Sequence, residues 1–475
     1  VTTATNAEQQ DRLAGDLQVE VIETSSLGDR SYLASDGEVA VVIDPQRDVD
    51  RVIAAAGRLG VRIAVVLDTH VHNDYVSGGL ELARLTGAEY GLSAADQVPF
   101  DHRPLSDGDV VELSPRMQVR AIATPGHTFH HLSFVLEGEQ GPVGVFTGGS
   151  LLYGTTGRTD LLGRDHSEAL ARHQHASAQK LAALLPDGVQ IWPTHGFGSF
   201  CSATQATGSS ATLGQQKESN PALTLAETDF VEQTLKGLDA YPAYYAHMGV
   251  RNAEGPEPID LREPARATPE ELRKRLEAGE WVVDLRSRKA YVASHLAGTV
   301  GLGLDGPMVT WLGWMIDWGA PITLLGQSRG QVAEAQRELA RIGIDKFAAS
   351  AVGTPEGLAA DPAQLRSTPT ATFADLAAAL SGSTGGFPAP DVVLDVRTNN
   401  EYASAHVSGA VHIPLYELVQ RRGEIPDGTV WVHCGSGYRA TAAASVLESA
   451  GRTAVLIDDH FGVAAEAGVP VTGGS

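Results

Sequence analysis

Two stretches of this chain repeat one another in residue type, order and spacing, and no other feature narrows the fold so far. Thr268-Pro269-Glu270-Glu271-Leu272 opens a helical segment leading to an apolar run, 281–285, followed by Arg286, His295 and Gly298. Thr372-Phe373-Ala374-Asp375-Leu376 opens another, leading to 391–396 and then Arg397, His406 and Gly409. Asp284 precedes its histidine and glycine by the same intervals as Asp395 does. Matching order at matching spacing marks a duplicated unit, and a helix feeding a short buried strand marks that unit as α/β. Two copies of one α/β module therefore occupy the second half. Residues 356–370 separate them, and a Gly-, Ser- and Pro-rich loop, 381–390, lies inside the second. Before them, 251–264 is rich in Pro, Gly and charge and reads as a linker.

The copies differ at one strand-to-helix turn. In the second, 429–433 reads as a strand and 440–450 as an Ala-rich helix, with Cys434-Gly435-Ser436-Gly437-Tyr438-Arg439 between them. A thiol at that place faces the N–H groups and the positive end of a helix, which favour the nucleophilic thiolate. Gly435 and Gly437 let the loop curl into an anion-binding nest, and Arg439 adds a cation for an anionic substrate such as thiosulfate. In the first copy Gly326 stands where Cys434 stands, and Gln331 where Arg439 stands. That copy has no nucleophile.

The first half alternates strand-like and helix-like segments. Residues 39–44 and 62–68 read as buried strands with a helix, 48–59, between them. Further apolar runs lie at 119–124, 132–136, 143–147 and 189–192, and 167–185 has helical period. Histidines gather where strands stop: Thr69-His70-Val71-His72-Asn73-Asp74-Tyr75, Thr124-Pro125-Gly126-His127-Thr128 and Pro193-Thr194-His195-Gly196. One H-x-H pair is weak evidence. Three strand-end clusters point to a metal cleft, because imidazole is the commonest ligand for zinc and iron. Cys201 lies just beyond His195 in a Gly/Ser-rich loop, where a sulfur-carrying role and an inert buried thiol are both open.

A length of 475 residues fits about three domains. The formal net charge of -23 argues against sequence-independent nucleic-acid binding, which needs clustered Lys and Arg. Residues 1–16 are polar and no apolar run is long enough to span a bilayer. With two cysteines, Cys201 and Cys434, the expectation is a cytoplasmic protein in a reducing compartment with no membrane partner.

Asp395-Val396-Arg397, Glu401-Tyr402, His406, Gly409-Ala410, Ile413-Pro414 and the Cys434 loop together resemble the rhodanese family. The resemblance implies that Cys434 carries a persulfide and passes its outer sulfur to an acceptor. The interval from Cys434 to Arg439 is one residue shorter than in phosphatases with a related loop. The first copy then resembles an inactive rhodanese homology domain. The order of histidine clusters resembles the metallo-β-lactamase fold, an αββα sandwich, closest to its persulfide dioxygenase branch with glyoxalase II as a cousin. Gly157-Arg158-Thr159-Asp160, the stretch from His195 to Cys201, and 212–223 add to the match.

That second resemblance implies Fe(II) or Zn(II) on His70, His72 and His127, with Asp74 and His195 at or beside a second position. In the dioxygenases two histidines, here His70 and His127, join one carboxylate. This chain departs from the pattern twice. Phe146-Thr147-Gly148-Gly149 ends on glycine where the fold usually places Asp, and Tyr75 replaces a ligand of the second metal position. His130, His131 and Asp160 are candidate substitutes.

The expected architecture is a metallo-β-lactamase-like domain at 17–255, an inactive rhodanese homology domain at 262–357 and a rhodanese domain at 368–475. The expected function is sulfide or persulfide metabolism. Cys434 transfers sulfur from thiosulfate, glutathione persulfide or another thiol persulfide, coupled to a dioxygenase-like metal domain. A glyoxalase II-like thioester hydrolase and a non-catalytic persulfide carrier or sensor are the alternatives. A homo-oligomer is expected from the resemblance alone.

Overall fold

The computed structural model describes residues 10–12, 17–204, 206, 208–383 and 386–473. The chain divides into two compact units, the first running to Ile259 and including Ala340–Gly343, the second comprising the remainder.

The first unit is built on two sheets. Among the described residues one sheet has seven strands in sequence order: Gln10–Arg12, Gln18–Thr24, Asp29–Ser35, Val39–Ile43, Arg62–Leu67, Glu89–Ser93 and Arg103–Leu105. The other has six, ordered Ala211–Thr212, Gln190–Pro193, Gly141–Gly148, Leu132–Gly138, Met117–Ala123 and Val110–Ser114. Their facing sides share a core that includes Val19, Tyr32, Phe134, Phe146 and Trp192. Each such side chain withdrawn from water contributes about 1.5–3 kcal/mol. The helices Asp50–Leu59 and Gly79–Thr86 bury Val52, Ala55 and Leu80 in a second cluster on the first sheet. Ser167–Leu184 and Glu227–Gly237 do the same on the other sheet through Ala171, Leu181 and Phe230. Two sheets enclosed by helices make an αββα sandwich.

Strand ends here are positions of chemistry. Val39–Ile43 stops at Asp44, Arg62–Leu67 runs into Thr69 and His70, and Gln190–Pro193 into Thr194 and His195. Strand bounds move by a residue or two from the sequence reading, as fraying ends do. One reading changes materially. The supposed linker at 251–264 begins inside a helix, Tyr245–Glu254, whose Asn252 is buried. The Asn252 amide donates to the carbonyls of His72 and Tyr75 (2.8 Å each) and accepts from the Ser77 N–H (2.9 Å), clamping the H-x-H turn. A polar side chain at the end of a charged stretch reads as solvated; only the tertiary packing shows its backbone partners.

In the second unit the repeat is visible bond for bond. Trp281–Asp284 lies between Val300–Gly301 and Ile322–Gly326, with Ala349–Val352 outermost. Val392–Asp395 lies likewise between Val411–His412 and Val430–His433, with Ala454–Ile457 and Thr370–Ala371 beyond. All these pairings are parallel. Each copy opens on a threonine cap, Thr268 with Glu271 and Thr372 with Asp375. Arg286 grips Asp284 and donates to the Ser294 carbonyl at 2.7 Å; Arg397 grips Asp395 and donates to the Ala405 carbonyl at 2.7 Å. Asp284 pairs with Leu325 and Asp395 with His433, so the register puts Gly326 and Cys434 at the same place.

Candidate metal centre and cysteine loop

Four imidazoles meet in the interior of the first unit, all of them buried: His70, His72, His127 and His195. Their neighbours fix which nitrogen of each is free. Thr69 Oγ1 gives its one proton to Asp44 Oδ2 (2.8 Å), so at 2.9 Å from His70 Nδ1 it accepts, leaving His70 Nε2 with its lone pair. His127 Nδ1 faces the Arg158 carbonyl at 2.8 Å, which can only accept, and Nε2 is left. His195 Nδ1 lies 2.9 Å from Asp29 Oδ1 and 3.1 Å from Asp74 Oδ2, again leaving Nε2. His72 uses Nε2 towards Asp44 Oδ1 (3.2 Å) and Tyr75 Oη (3.1 Å), leaving Nδ1. These four nitrogens are buried without a hydrogen bond. An unmet polar group in the interior costs about 1–3 kcal/mol, and one cation satisfies several at once.

Electrostatics divide the four imidazoles: against burial, which opposes their charge, the carboxylates Asp74 and Asp29 raise His195 and Asp44 raises His72, whereas the other two are lowered. Burial, then the neighbouring imidazoles, hold His70 well below the usual histidine range, and burial with His195 nearby brings His127 to about 3. Both are neutral donors. Burial opposes charge on Asp74, but the His195 imidazole holds it low, whereas burial and Asp74 push Asp29 up to about 7. Asp44 is the hub beneath them. It is the only non-glycine residue with positive φ (51°) among the described residues, and it also receives the Thr69 N–H at 2.6 Å and the Thr194 hydroxyl. Carboxylates and carbonyls on the far nitrogens orient metal-binding histidines in this way.

The residues fit a metal ion, but not one bound through position 149. A Cβ on Gly149 would lie 2.6 Å from His127 Cγ and 2.8 Å from Nε2, while one on Gly157 would lie 2.7 Å from His127 Nδ1. The imidazole fills the space between two glycines. The candidate substitutes are engaged elsewhere. His130 is partly exposed on Asp96 (2.8 Å), Asp160 is gripped by Arg158 (2.7 and 2.8 Å), and His131 receives the Gly149 N–H on Nε2 (3.1 Å) with Nδ1 against Thr124. Tyr75 stacks on His72, ring centroids 4.3 Å apart. Cys201 is fully buried, and burial followed by Asp74 and Asp29 pushes its thiol well up. A persulfide-forming nucleophile needs the opposite environment.

Cys434 follows the strand Val430–His433 and precedes the helix Tyr438–Ser449. Its Sγ accepts the Gly437 N–H at 3.2 Å. Gly437 needs its left-handed φ of 90° to turn that N–H inward, and any Cβ there would meet the Asp458 carboxylate. Arg439 does not stand as a free cation. It pairs with Glu401 through two bonds, 2.5 and 2.7 Å, and its guanidinium lies 5.3 Å over the Trp311 ring of the first copy. Tyr438 Oη donates to the Gly303 carbonyl at 2.7 Å, so the first copy also braces the loop. Its own turn closes on itself: Gln331 Oε1 accepts the Gln327 N–H at 2.8 Å, and Ser328 Oγ accepts the Gln331 N–H at 3.2 Å.

Burial opposes ionisation of Glu401, but Arg439 outweighs it and holds the carboxyl at about 2, against an ordinary 4.5. Its contribution to stability is therefore full above about pH 4.5 and lost as pH falls through about 2. In Glu401→Gln the melting temperature of the second unit should vary less with pH across that window than in the parent, as thermal scans at stepped pH will read.

A rhodanese-like domain model matches residues 378–461. The persulfide dioxygenase ETHE1 of Bos taurus is 30% identical over 210 residues, 42% of this chain and 74% of its own. The human ETHE1 is 29% identical over 239 residues, 50% of this chain and 82% of its own. The first unit belongs to the metallo-β-lactamase-fold family of ETHE1. A hydroxyacylglutathione hydrolase of Acidiphilium cryptum (strain JF-5) is 32% identical over 34% of this chain and 62% of its own. A metallo-beta-lactamase crystal structure from Staphylococcus aureus subsp. aureus COL superposes with TM-score 0.63 at 28% identity, covering 71% of this chain and 99% of that one.

Within this metallo-β-lactamase-fold unit the histidine turns from all three strand ends converge. Asp29, Asp44 and Thr69, which orient the imidazoles, escaped the sequence reading. The signal was faint: Asp44 closes a buried strand just before Pro45, and Asp29 lies in a strand whose other residues look unremarkable. No helix among the described residues is long and apolar enough to cross a membrane.

Proposed function

We propose that this chain works in sulfide and persulfide metabolism, with Cys434 as a sulfane-sulfur carrier of the rhodanese type. The observation that carries the reading is the Cys434 thiol at a helix start, accepting the Gly437 N–H inside a loop whose arginine is locked to Glu401. The Cys434 thiolate attacks the outer sulfur of thiosulfate. The S–S bond breaks, sulfite leaves with its electron pair, and a persulfide forms on Cys434. An acceptor thiolate or cyanide then attacks the outer sulfur and returns Cys434 as thiolate. The helix dipole and loop N–H stabilise the negative sulfur at both stages. Glutathione persulfide is the alternative donor of the same chemical class.

On this reading the chain comprises a metal domain at 17–255, a catalytically silent rhodanese homologue at 262–357 and the active module at 368–475. The silent copy, without a thiol at Gly326, serves as the wall that places Gly303 and Trp311 against the active loop. In the metal domain an ion held among the buried imidazoles of His70, His72, His127 and His195 would supply Lewis-acid or redox activation of a bound persulfide. Asp29 and the Arg158 carbonyl keep the imidazoles oriented, and burial keeps water out. Thioester hydrolysis of the glyoxalase II kind is less well supported, since Tyr75 replaces the residue that the resemblance implies as a ligand of the second metal position.

The test is direct. Incubated with thiosulfate and desalted, the protein should carry one additional sulfur atom by intact mass, mapped to the peptide containing Cys434, with an equivalent of sulfite released. Sulfur found on Cys201 instead, or no adduct, overturns the proposal.

A further inference from the structure

The loss of a carboxylate at position 149 leaves two histidines without the anionic donor that usually accompanies them, and a different anion-forming side chain stands within reach. His127, His195 and Cys201 each bring a donor atom within 4.8 Å of the other two, and all three are fully buried. With His127 Nδ1 held by the Arg158 carbonyl and His195 Nδ1 by Asp29, the available nitrogens are Nε2, and both lack any hydrogen bond. Three donors, His195 and Cys201 from the loop after Gln190–Pro193 and His127 from the loop after Met117–Ala123, converge without satisfying one another.

We infer that Cys201 is a metal ligand, and that His127, His195 and Cys201 form a His₂Cys position for a thiophilic divalent cation of the zinc type. This inference is independent of sulfur transfer at Cys434.

The geometry and the charge both permit it. A tetrahedral ion at ordinary zinc bond lengths spaces its donors roughly 3.5 Å apart, and the three donors, all within 4.8 Å of one another, already lie near that spacing. Two imidazoles and one thiolate carry the same single negative charge as two imidazoles and one carboxylate. Sulfur in place of oxygen changes the preference: thiolate favours zinc, cobalt and copper(I) over magnesium, manganese or ferrous iron. The displacement of the site follows from the glycine pair. Because Gly149 and Gly157 let the His127 ring sink between them, that ring lies where the missing side chain would have been. Cys201 is itself fixed in place, its N–H donating to Ser199 Oγ at 3.1 Å and its carbonyl receiving the Arg158 N–H at 2.8 Å. The same Arg158 thus ties His127 to Cys201 by its backbone, carbonyl to one and N–H to the other.

The full chain, stripped of metal and titrated with Co(II), tests the inference by electronic absorption. A near-ultraviolet thiolate-to-cobalt charge-transfer band should rise to one equivalent and collapse on adding Zn(II). It should persist in Cys434→Ser, which removes the other cysteine, and vanish in Cys201→Ser. Zinc affinity of Cys201→Ser should fall by at least about tenfold, since even outer partners of metal ligands cost 10–100-fold. Zinc-edge X-ray absorption on the Cys434→Ser protein gives a reading that does not depend on the Cys201 variant folding: one sulfur neighbour supports the site. Absence of cobalt uptake, uptake without the band, a band surviving in Cys201→Ser, or a zinc shell without sulfur each overturns it.

Discussion

Cys434→Ser should lose thiosulfate-dependent sulfur transfer to cyanide by at least about 1,000-fold in kcat/KM, because loss of a nucleophile removes the whole covalent route. A serine hydroxyl is far less nucleophilic than a thiolate towards sulfur and cannot hold a sulfane sulfur for transfer. The loop itself should survive. Serine Oγ can accept the Gly437 N–H that Sγ now accepts, and the Arg439–Glu401 pair is untouched. Thiosulfate binding, read by calorimetry, should therefore stay within a few-fold of the parent while turnover disappears. Cys201 cannot substitute, because it lies fully buried in the other unit. A serine variant retaining even a tenth of parental activity would remove Cys434 from the chemistry.

The parts of the molecule that were legible in the sequence are those written locally. The duplication could be read because each copy needs the same capped helix start, the same buried strand and the same Asp–Arg pair closing the turn after it. The Cys434 loop was legible because cysteine, glycine and arginine are rare in that order between a strand and a helix. The histidine turns were legible because they all follow apolar runs. What stayed hidden depends on distant contacts. Nothing around Asn252 announces that its amide clamps the turn carrying His72. Nothing around Glu401 distinguishes a solvated acid from the counter-ion of Arg439, 38 residues away. Asp44 adopts a backbone conformation that a sequence cannot signal for an acid, and it does so to reach Thr69, Thr194 and His72 together. The missing carboxylate at 149 was plain from sequence. That an imidazole occupies its space was not.

That occupation predicts the result of putting the carboxylate back. Gly149→Asp should destabilise the first unit by roughly 3 kcal/mol or more and should not raise iron loading. Overpacking a full core costs about 1–3 kcal/mol, and an added buried acid without a partner costs more. The collision falls on the His127 ring at Cδ2 and then Cγ. Gly157 closes the other side, and Nδ1 is bonded to the Arg158 carbonyl. Gly149→Ala separates crowding from charge: it should lose about 1–3 kcal/mol and should also weaken metal binding, although alanine brings no new donor. A double-mutant cycle isolates the cause. In a His127→Ala background the ring is gone, so alanine at 149 should cost at least about 1 kcal/mol less than in the parent. Denaturant unfolding, followed by hydrogen exchange within 120–200 so that the two units are not averaged, measures all three variants. Equal costs in both backgrounds, or iron uptake restored by Gly149→Asp, would show that position 149 is vacant rather than filled.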